Sequence, residues 1–185
     1  MGPPGSGKGT QGERLAAHYG IPAISTGDIF RDNLNAGTPL GRLAQGYMSQ
    51  GKYVPDEVTN TMVRERLAQP DVAQGFLLDG YPRTPAQVAE LDGILRAHGV
   101  ALDAVIELVG DVEELVCRLM QRAHEQGRED DTEETIRTRQ KVYAEQTAPL
   151  TRGYADRGLL LRVEGVGDLD VDATRLGDAV DSFLR

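Results

Sequence analysis

Glycines crowd the first ten residues, and a lysine and a threonine stand among them. The segment runs Gly2-Pro3-Pro4-Gly5-Ser6-Gly7-Lys8-Gly9-Thr10. Such glycines let backbone N–H groups turn inward around a polyphosphate, because side chains would block that approach and some positions need a positive φ. Lys8 can reach the outer phosphates, and the Thr10 hydroxyl can bind Mg²⁺. The segment predicts a phosphate-binding loop, in a variant form with Gly9 directly after the lysine.

An acid and an arginine follow a short apolar run. Phe76-Leu77-Leu78 predicts a buried strand, and Asp79 stands at its end. A carboxylate in this position can hold Mg²⁺ directly or through water, opposite a phosphate-binding loop. Arg83 follows shortly after, and its planar guanidinium suits bidentate pairing with phosphate oxygens. We therefore expect Asp79 and Arg83 to lie at the same site as Lys8.

More arginines occur on two predicted helices and in the polar loop between them. Arg118 and Arg122 are spaced i,i+4 and share one side of their helix. Arg128 lies in the loop, and Arg137 and Arg139 lie about 200° apart on the next helix, so only one of these two can face a common site. The chain has a net charge of −9. Positive charge for a polyphosphate must therefore be gathered locally, and this set of arginines supplies it.

Composition limits the class of protein. The chain has 185 residues, of which 39% are hydrophobic and 26% charged, as in a soluble globular domain. The negative net charge argues against nucleic-acid binding, and no apolar run approaches the roughly 18 residues of a membrane span. A single cysteine, Cys117, and three scattered histidines exclude a disulfide framework and a structural zinc site. We expect a cytoplasmic protein with Cys117 buried among apolar neighbours.

Strand-like and helical segments alternate along the chain. Short apolar runs predict strands at 21–25, 76–78, 105–109 and 159–163, with helices before, between and after them. Continuously apolar strands that alternate with helices predict an α/β fold in three layers, with a central parallel sheet covered on both faces. Two excursions, 26–54 and 122–131, leave this alternation. We expect them beside the carboxyl ends of the strands, where ligands bind.

The position of the glycine-rich loop within the sequence is unusual. Such a loop normally follows a buried strand, but only Met1 precedes Gly2. About five buried residues of that strand would contribute about 8–15 kcal/mol. We therefore expect the first strand to be missing from the sequence as given, and the natural protein to begin several residues upstream, with Met1 at the end of this strand.

Several motifs, in order along nearly the whole chain, resemble those of adenylate kinases. They are Gly5-Ser6-Gly7-Lys8-Gly9-Thr10-Gln11, Ser25-Thr26-Gly27-Asp28-Ile29-Phe30-Arg31, Gly51-Lys52-Tyr53-Val54-Pro55-Asp56, Leu78-Asp79-Gly80-Tyr81-Pro82-Arg83 with Gln87, and Arg128, Asp130-Asp131, Glu133-Glu134, Arg139, Val142-Tyr143 and Thr147-Ala148-Pro149-Leu150. The resemblance implies a phosphate-loop nucleoside triphosphatase fold. It implies one kinase domain over 1–185, with an AMP-binding helical insert at 26–54 and a short lid at 122–131. The implied reaction is the reversible, Mg²⁺-dependent conversion ATP + AMP ⇌ 2 ADP, which balances the adenine nucleotide pool, in a monomer.

The resemblance also implies roles for individual residues. ATP would be bound by Gly5, Ser6, Gly7, Lys8, Gly9, Thr10, Arg122 and Gly167. AMP would be bound by Thr26, Arg31, Lys52, Tyr53, Val54, Gly80, Tyr81, Pro82, Arg83, Gln87, Arg128 and Arg139. The catalytic cations would be Lys8, Arg83, Arg118, Arg122, Arg128 and Arg139, with Mg²⁺ on Asp79 and Thr10. Family members with a long lid often bind zinc through its cysteines, but the lid here is short and has no cysteine, so no zinc is expected.

Two positions favour AMP as the acceptor. Related pyrimidine-nucleotide kinases tend to carry alanine in place of Thr26 and asparagine in place of Gln87. A site that hydrogen-bonds one base rejects another that leaves these groups unpaired. Two alternatives stay open. One is a nucleoside monophosphate kinase with other substrates, such as a GTP:AMP or UMP/CMP kinase, and the other is a nucleotide-binding module without turnover.

Overall fold

A computed structural model describes residues 1–126, 132–164 and 169–185, and the side chains of all of these except 126 and 169–172. In chain order the regular elements are α1 (Lys8–Tyr19), β1 (Ala23–Ser25), α2 (Thr26–Asn35), α3 (Pro39–Met48), α4 (Asp56–Leu67), β2 (Leu77–Asp79), α5 (Pro85–Ala97), β3 (Val105–Val109), α6 (Val112–Gln126), α7 (Glu133–Val142), α8 (Leu150–Asp156), β4 (Leu160–Glu164) and α9 (Leu169–Phe183). A 3₁₀ turn spans Pro70–Val72 and a π-helical turn spans Tyr143–Thr147. The alternation predicts these elements closely.

Side-chain caps fix the starts of four helices. Each cap is a serine or threonine whose hydroxyl accepts a hydrogen bond from a backbone N–H in the first turn of the helix. The caps are Ser25 for α2, Thr38 for α3, Thr84 for α5 and Thr132 for α7. A cap of this kind contributes about 1 kcal/mol. Proline at the first position of α3 and of α5 also favours the helix start, because its fixed φ already suits a helix.

The strands in the described part of the chain pair in parallel, as predicted, and form two sheets of two strands. β1 pairs with β2, with Ser25 opposite Asp79, and β3 pairs with β4, with Val109 opposite Glu164. The predicted α/β class is therefore confirmed. β1 begins at Ala23 and not at the predicted residue 21, because the backbone N–H of Ile21 bonds to α1 and not to β2. The Ile21 N–H donates to Ala16 and closes the end of α1.

Met1 lies alongside β3. Its α-amino group donates to the Ile106 carbonyl, and the Leu108 N–H donates to the Met1 carbonyl across 3.0 Å. This is the pattern of a parallel strand partner. Met1 also borders a cleft whose lining includes Leu77 of β2 and Ile106 of β3. The expectation of a further strand here stays a prediction.

Within the described residues, the core consists of three apolar clusters. The largest joins β1 with α2, α4 and α5, through residues such as Ile24, Phe30, Val63 and Leu91. A second packs α1 against α9 through Leu15, Leu176 and Val180. The third, Val116, Leu119 and Ile136, holds α6 against α7. The helices that carry the predicted arginines are thus packed firmly against each other.

Two local predictions differ from the structure. Cys117 is exposed, and the expectation of a buried thiol is wrong. Position 117 lies two residues from both Leu115 and Leu119, about 200° around α6 from the apolar stripe that is buried. The predicted lid at 122–131 begins inside a helix, because α6 continues to Gln126 without a glycine or proline to end it.

Among the described residues we find no helix with the length and hydropathy that a bilayer crossing requires.

Candidate active site

The backbone of the loop before α1 requires glycine at three positions. Gly2, Gly5 and Gly7 have φ of 139°, 88° and 82°, which favour glycine. A Cβ on Gly2 would lie 2.5 Å from the Leu108 carbonyl oxygen, and one on Gly5 would lie 2.7 Å from that of Leu115. Side chains at Gly2 and Gly5 would push the loop off β3 and α6, whereas Gly7 is needed for its backbone conformation alone.

The loop presents an anion-binding surface at the start of α1. Gly7 is the N-cap and has no side chain to accept from the first N–H groups of the helix. Those donors, at the positive end of the helix dipole, suit a phosphate. Lys8 Nζ donates to the Pro3 carbonyl across 2.8 Å. Gln140 of α7 donates from Nε2 to the Pro4 carbonyl across 2.8 Å and ties the loop to that helix.

Four charged groups converge on this loop. Burial lowers the pKa of the Lys8 ammonium from 10.5 to about 8. The nearby Asp79 carboxylate opposes this shift, whereas the Arg83 and Arg122 guanidiniums add to it. Lys8 thus lies near two guanidiniums that repel its charge and one carboxylate that attracts it. Phosphate oxygens would relieve that repulsion.

Oxygen donors suited to Mg²⁺ flank the loop. Asp79 ends β2, and a Cβ on Gly9 would lie 3.8 Å from its Oδ2, so the carboxylate lies against the start of α1. Thr10 is exposed in the first turn of α1. The described residues include no cluster of three or more His, Cys, Asp or Glu that could hold a metal. One carboxylate and one hydroxyl fit Mg²⁺, which takes its other oxygens from phosphates and water.

The turn after β2 gathers two further predicted residues around one carbonyl. The Gly80 carbonyl accepts from Thr26 Oγ1 at 3.0 Å and from Arg83 Nε at 2.7 Å. Gly80 has φ of 76°, and a Cβ there would lie 2.7 Å from Arg83 Nη2. The peptide bond between Tyr81 and Pro82 is cis. Gly80 therefore lets Thr26 and Arg83 approach each other.

Gln87 is buried and is already partly engaged with protein. Its Oε1 accepts from the Arg83 N–H, and its Nε2 donates to Asp56 Oδ1, both at 2.7 Å. A glutamine amide has a second lone pair and a second N–H, so one acceptor and one donor are left for a base. Sequence reasoning missed Asp56 as the residue that orients this amide.

The two arginines of α7 point in different directions. Arg139 borders the cleft, and its Nη2 donates to the Met48 carbonyl across 3.3 Å. Arg137 is exposed and pairs with Glu113 at 3.2 Å and Glu133 at 3.0 Å. The prediction that only one of them faces the site is confirmed, and Arg139 is the one.

One cleft of about 1420 Å³ brings most of the predicted residues together. The predicted residues in its lining are Gly5, Gly7, Lys8, Gly9, Thr10, Thr26, Arg31, Lys52, Tyr53, Val54, Asp79, Gly80, Tyr81, Pro82, Arg83, Gln87, Arg118, Arg122 and Arg139. The Ser6 side chain is buried, and its hydroxyl has no hydrogen-bond partner among the described residues. Arg128 and Gly167 lie outside the described residues.

Among the described residues, Arg118 and Arg31 each have a carboxylate partner at the cleft. Arg118 donates to Glu114, one turn earlier on α6, across 2.9 Å, and Arg31 pairs with Asp28 on α2. Both pairs are partly exposed, and exposed ion pairs contribute about 0–1 kcal/mol. A phosphate can therefore replace either carboxylate at little cost.

Comparisons with known proteins show which family the chain is similar to. A family model described as adenylate kinase matches residues 1–159. An adenylate kinase of Nocardioides sp. is 59% identical over 98% of this chain and 95% of its own length. Those of Kocuria rhizophila and Thermobifida fusca are 58% and 54% identical, each over 98% of this chain and 96% of their own.

These matches extend over nearly the whole chain, so they include the phosphate-binding loop, residues 26–54 and the helices that carry the arginines. The chain belongs to the adenylate kinase family and is a nucleoside monophosphate kinase, a phosphotransferase.

Proposed function

We propose that this enzyme transfers the terminal phosphoryl group of ATP to AMP, reversibly, to give two molecules of ADP. The observation that carries this proposal is the convergence of Lys8, Arg83 and Arg122 in one cleft between the loop and the insert. The cleft has a glycine-built cradle for a polyphosphate on one side. On the other side lies a second cation, Arg83, beside the hydroxyl of Thr26 and the amide of Gln87.

The reaction needs no general base, because the acceptor phosphate of AMP is already an anionic nucleophile. Catalysis is then positioning and neutralisation of charge. The loop N–H groups and Lys8 hold the outer phosphates of ATP. Arg83 holds the phosphate of AMP, and Arg118, Arg122, Arg128 and Arg139 neutralise the group in transit. Asp79 and Thr10 would hold Mg²⁺, which would supply positive charge at the donor phosphates.

The rest of the nucleotide-binding assignments follow the same division. ATP is held by residues 5–10, with Arg122 and Gly167. AMP is held by Arg31, the backbone of 52–54 and the 80–83 turn. Thr26 and Gln87 read the adenine of AMP, because a hydroxyl and an oriented amide together reject a base that cannot pair with them. Closure of the insert (26–54) and the lid (122–131) excludes water, which would otherwise accept the phosphoryl group.

We further propose that the enzyme acts as a cytoplasmic monomer, without zinc and without a nucleic-acid or membrane partner. The net charge of −9 supports the absence of nucleic acid, and the single cysteine supports the absence of structural zinc. Elemental analysis of the purified protein tests the absence of zinc, since stoichiometric zinc would contradict it.

A coupled assay of ADP formation tests the proposed reaction. ADP should form only when both ATP and AMP are present, and EDTA should stop the reaction until Mg²⁺ is restored. CMP and UMP should be used poorly as acceptors. Equal turnover of AMP and CMP would overturn the assignment of Thr26 and Gln87, and binding of nucleotides without ADP formation would favour a module without turnover.

The acceptor specificity has its own variant. Thr26→Ala combined with Gln87→Asn should relax the preference for AMP over CMP, with each lost polar contact worth roughly 1–3 kcal/mol. The control is the KM for ATP, which should not change because neither residue belongs to the ATP-binding set. An unchanged ratio of AMP to CMP turnover would show that other residues read the base.

A further inference from the structure

Tyr53 lies where the insert returns to the body of the protein, and its ring packs against Arg83. The Cζ atom of Arg83 lies over this ring, 4.9 Å from its centroid. At this distance an aromatic face attracts a guanidinium through its quadrupole. On another side the Arg83 Nε donates to the Gly80 carbonyl across 2.7 Å. The guanidinium is thus held both by a carbonyl and by an aromatic face.

The hydroxyl of Tyr53 is linked to the backbone of the same arginine. Tyr53 Oη lies 2.8 Å from Thr147 Oγ1, which lies 2.9 Å from the Arg83 carbonyl oxygen. A carbonyl only accepts, and the Thr147 hydroxyl has a single proton to give it. The direction is therefore fixed: Tyr53 donates to Thr147, and Thr147 donates to Arg83. One tyrosine contacts the arginine at its guanidinium and, through Thr147, at its main chain.

The position of Thr147 comes from an irregular piece of backbone. It is buried, and it ends the π-helical turn 143–147 that follows α7. Such turns are rare and often lie at functional sites. Tyr53, Arg83 and Thr147 join three segments far apart in the sequence: the end of the insert, the turn after β2 and the turn after α7.

We infer that Tyr53 is a positioning residue that orients Arg83 toward the acceptor phosphate. Within the described part of the chain, the side-chain hydrogen bonds of Arg83 use Nε alone. Nη1 and Nη2 are left for a phosphate. An arginine on a turn would otherwise lose rotamer freedom when the phosphate binds, and holding it beforehand reduces that cost. This inference rests on the proposed role of Arg83.

A double-mutant cycle separates this role from simple support of the insert. Tyr53→Leu removes the ring and the hydroxyl, and should lower kcat/KM for AMP about tenfold, equivalent to about 1.4 kcal/mol. Tyr53→Phe keeps the ring and should lower it less than about threefold. In the Arg83→Ala background, Tyr53→Leu should change kcat/KM by less than about twofold, because its partner is gone. The KM for ATP should stay the same in both Tyr53 variants.

Tyr47 provides a matched control. It lies on α3 of the same insert and packs against the large core cluster. Tyr47→Leu is the same chemical change at a site away from Arg83, so it should lower Tm without the selective loss toward AMP. Melting curves of every variant fix an assay temperature at which all of them are folded.

Each outcome decides the question. An equal loss from Tyr53→Leu in both backgrounds would show a structural role and overturn the inference, while the role of Arg83 would stand. A loss in Tyr53→Phe as large as in Tyr53→Leu would exclude the ring as the source of the effect. If Arg83→Ala itself stays within about tenfold of wild type, the proposed role of Arg83 fails, and this inference fails with it.

Discussion

Arg139 on α7 donates from Nη2 to the backbone carbonyl of Met48, the last residue of α3, at a distance of 3.3 Å. The contact joins the proposed AMP-binding insert to the helix that carries a proposed catalytic cation. Beside it, the Ser49 carbonyl accepts from Thr135 Oγ1 at 3.4 Å. The place of the insert and the orientation of Arg139 are therefore coupled through the backbone that follows α3.

Gly51→Ala should disturb this contact and weaken the use of AMP. A Cβ on Gly51 would lie 2.9 Å from the Thr135 carbonyl oxygen and 3.2 Å from Thr138 Cβ, so the insert must shift away from α7. We expect KM for AMP to rise about tenfold or more, because small misplacements near a reacting group are costly. KM for ATP should change little.

Gly37→Ala is the matched control for that variant. Gly37 lies in the same insert with φ of 64°, close to the 69° of Gly51, but a Cβ there meets nothing within 4 Å. Both variants have the same backbone strain of about 1–2 kcal/mol, so the difference between them isolates the contact with α7. Equal KM values for AMP in the two variants would contradict the coupling.

Arg83→Ala should lose far more activity than stability. A cation of this kind at a phosphoryl-transfer site can contribute about 10³-fold or more. The variant loses one hydrogen bond to the Gly80 carbonyl and the contact with Tyr53, which together are worth about 1–3 kcal/mol. Steady-state kinetics and a melting curve on the same preparation check both numbers, and activity within about tenfold of wild type would remove Arg83 from the catalytic set.

Tyr154 should make the stability depend on pH in alkali. Burial raises the pKa of its hydroxyl from 10.0 to about 12, and the hydroxyl has no hydrogen-bond partner among the described residues. The unfolded chain releases this proton above about pH 10 while the folded chain keeps it. Stability is thus fully present below pH 10 and is lost as pH rises toward 12.

Tyr154→Phe is the variant that measures this effect. It should leave the free energy of unfolding at pH 7 unchanged or slightly higher, because an unpaired buried hydroxyl costs free energy. Its ring can still contact Arg157, whose guanidinium lies 5.4 Å from the centroid. Between pH 10 and 12 the variant should lose less stability than wild type in denaturant titrations. Parallel pH profiles would show that Tyr154 ionises freely in the folded protein.

An apolar strand added before Met1 should raise the stability. Burial lowers the pKa of the Met1 amino group to about 5, with nearby Lys8 adding to the shift, so the charged form of this amine is disfavoured beside β3. An extension turns it into an amide N–H that can still donate to Ile106, and about five apolar residues could fill the cleft between the two sheets. We expect the free energy of unfolding to rise by about 8–15 kcal/mol if all five are buried.

The control is an extension of five glycine and serine residues at the same place. It also converts the Met1 amine into an amide, but it adds no apolar surface. Melting curves and turnover of the three proteins are compared under one condition. If the apolar extension melts no higher than the polar one, the cleft does not accept a strand.

The sequence alone determined the local parts of this protein. The glycines around Lys8 and the alternating apolar runs depend on neighbours within a few residues, so they predicted the loop and the α/β class. The spacing of Arg137 and Arg139 showed that only one of them faces the cleft, because their angle on the helix is fixed by two residues of sequence. The motifs also carried the family resemblance that the comparisons confirmed.

The tertiary structure decided the contacts between distant segments. Nothing near Tyr53 in the sequence indicates that its ring lies against Arg83, or that Thr147 links the two. The same holds for Asp56, which orients Gln87, and for Gln140, which ties the phosphate loop to α7. Cys117 shows the opposite case. Its apolar neighbours in the sequence predicted burial, but the packing of α6 leaves its thiol exposed. These outcomes depend on how the elements pack, because packing brings together groups that the chain separates by tens of residues.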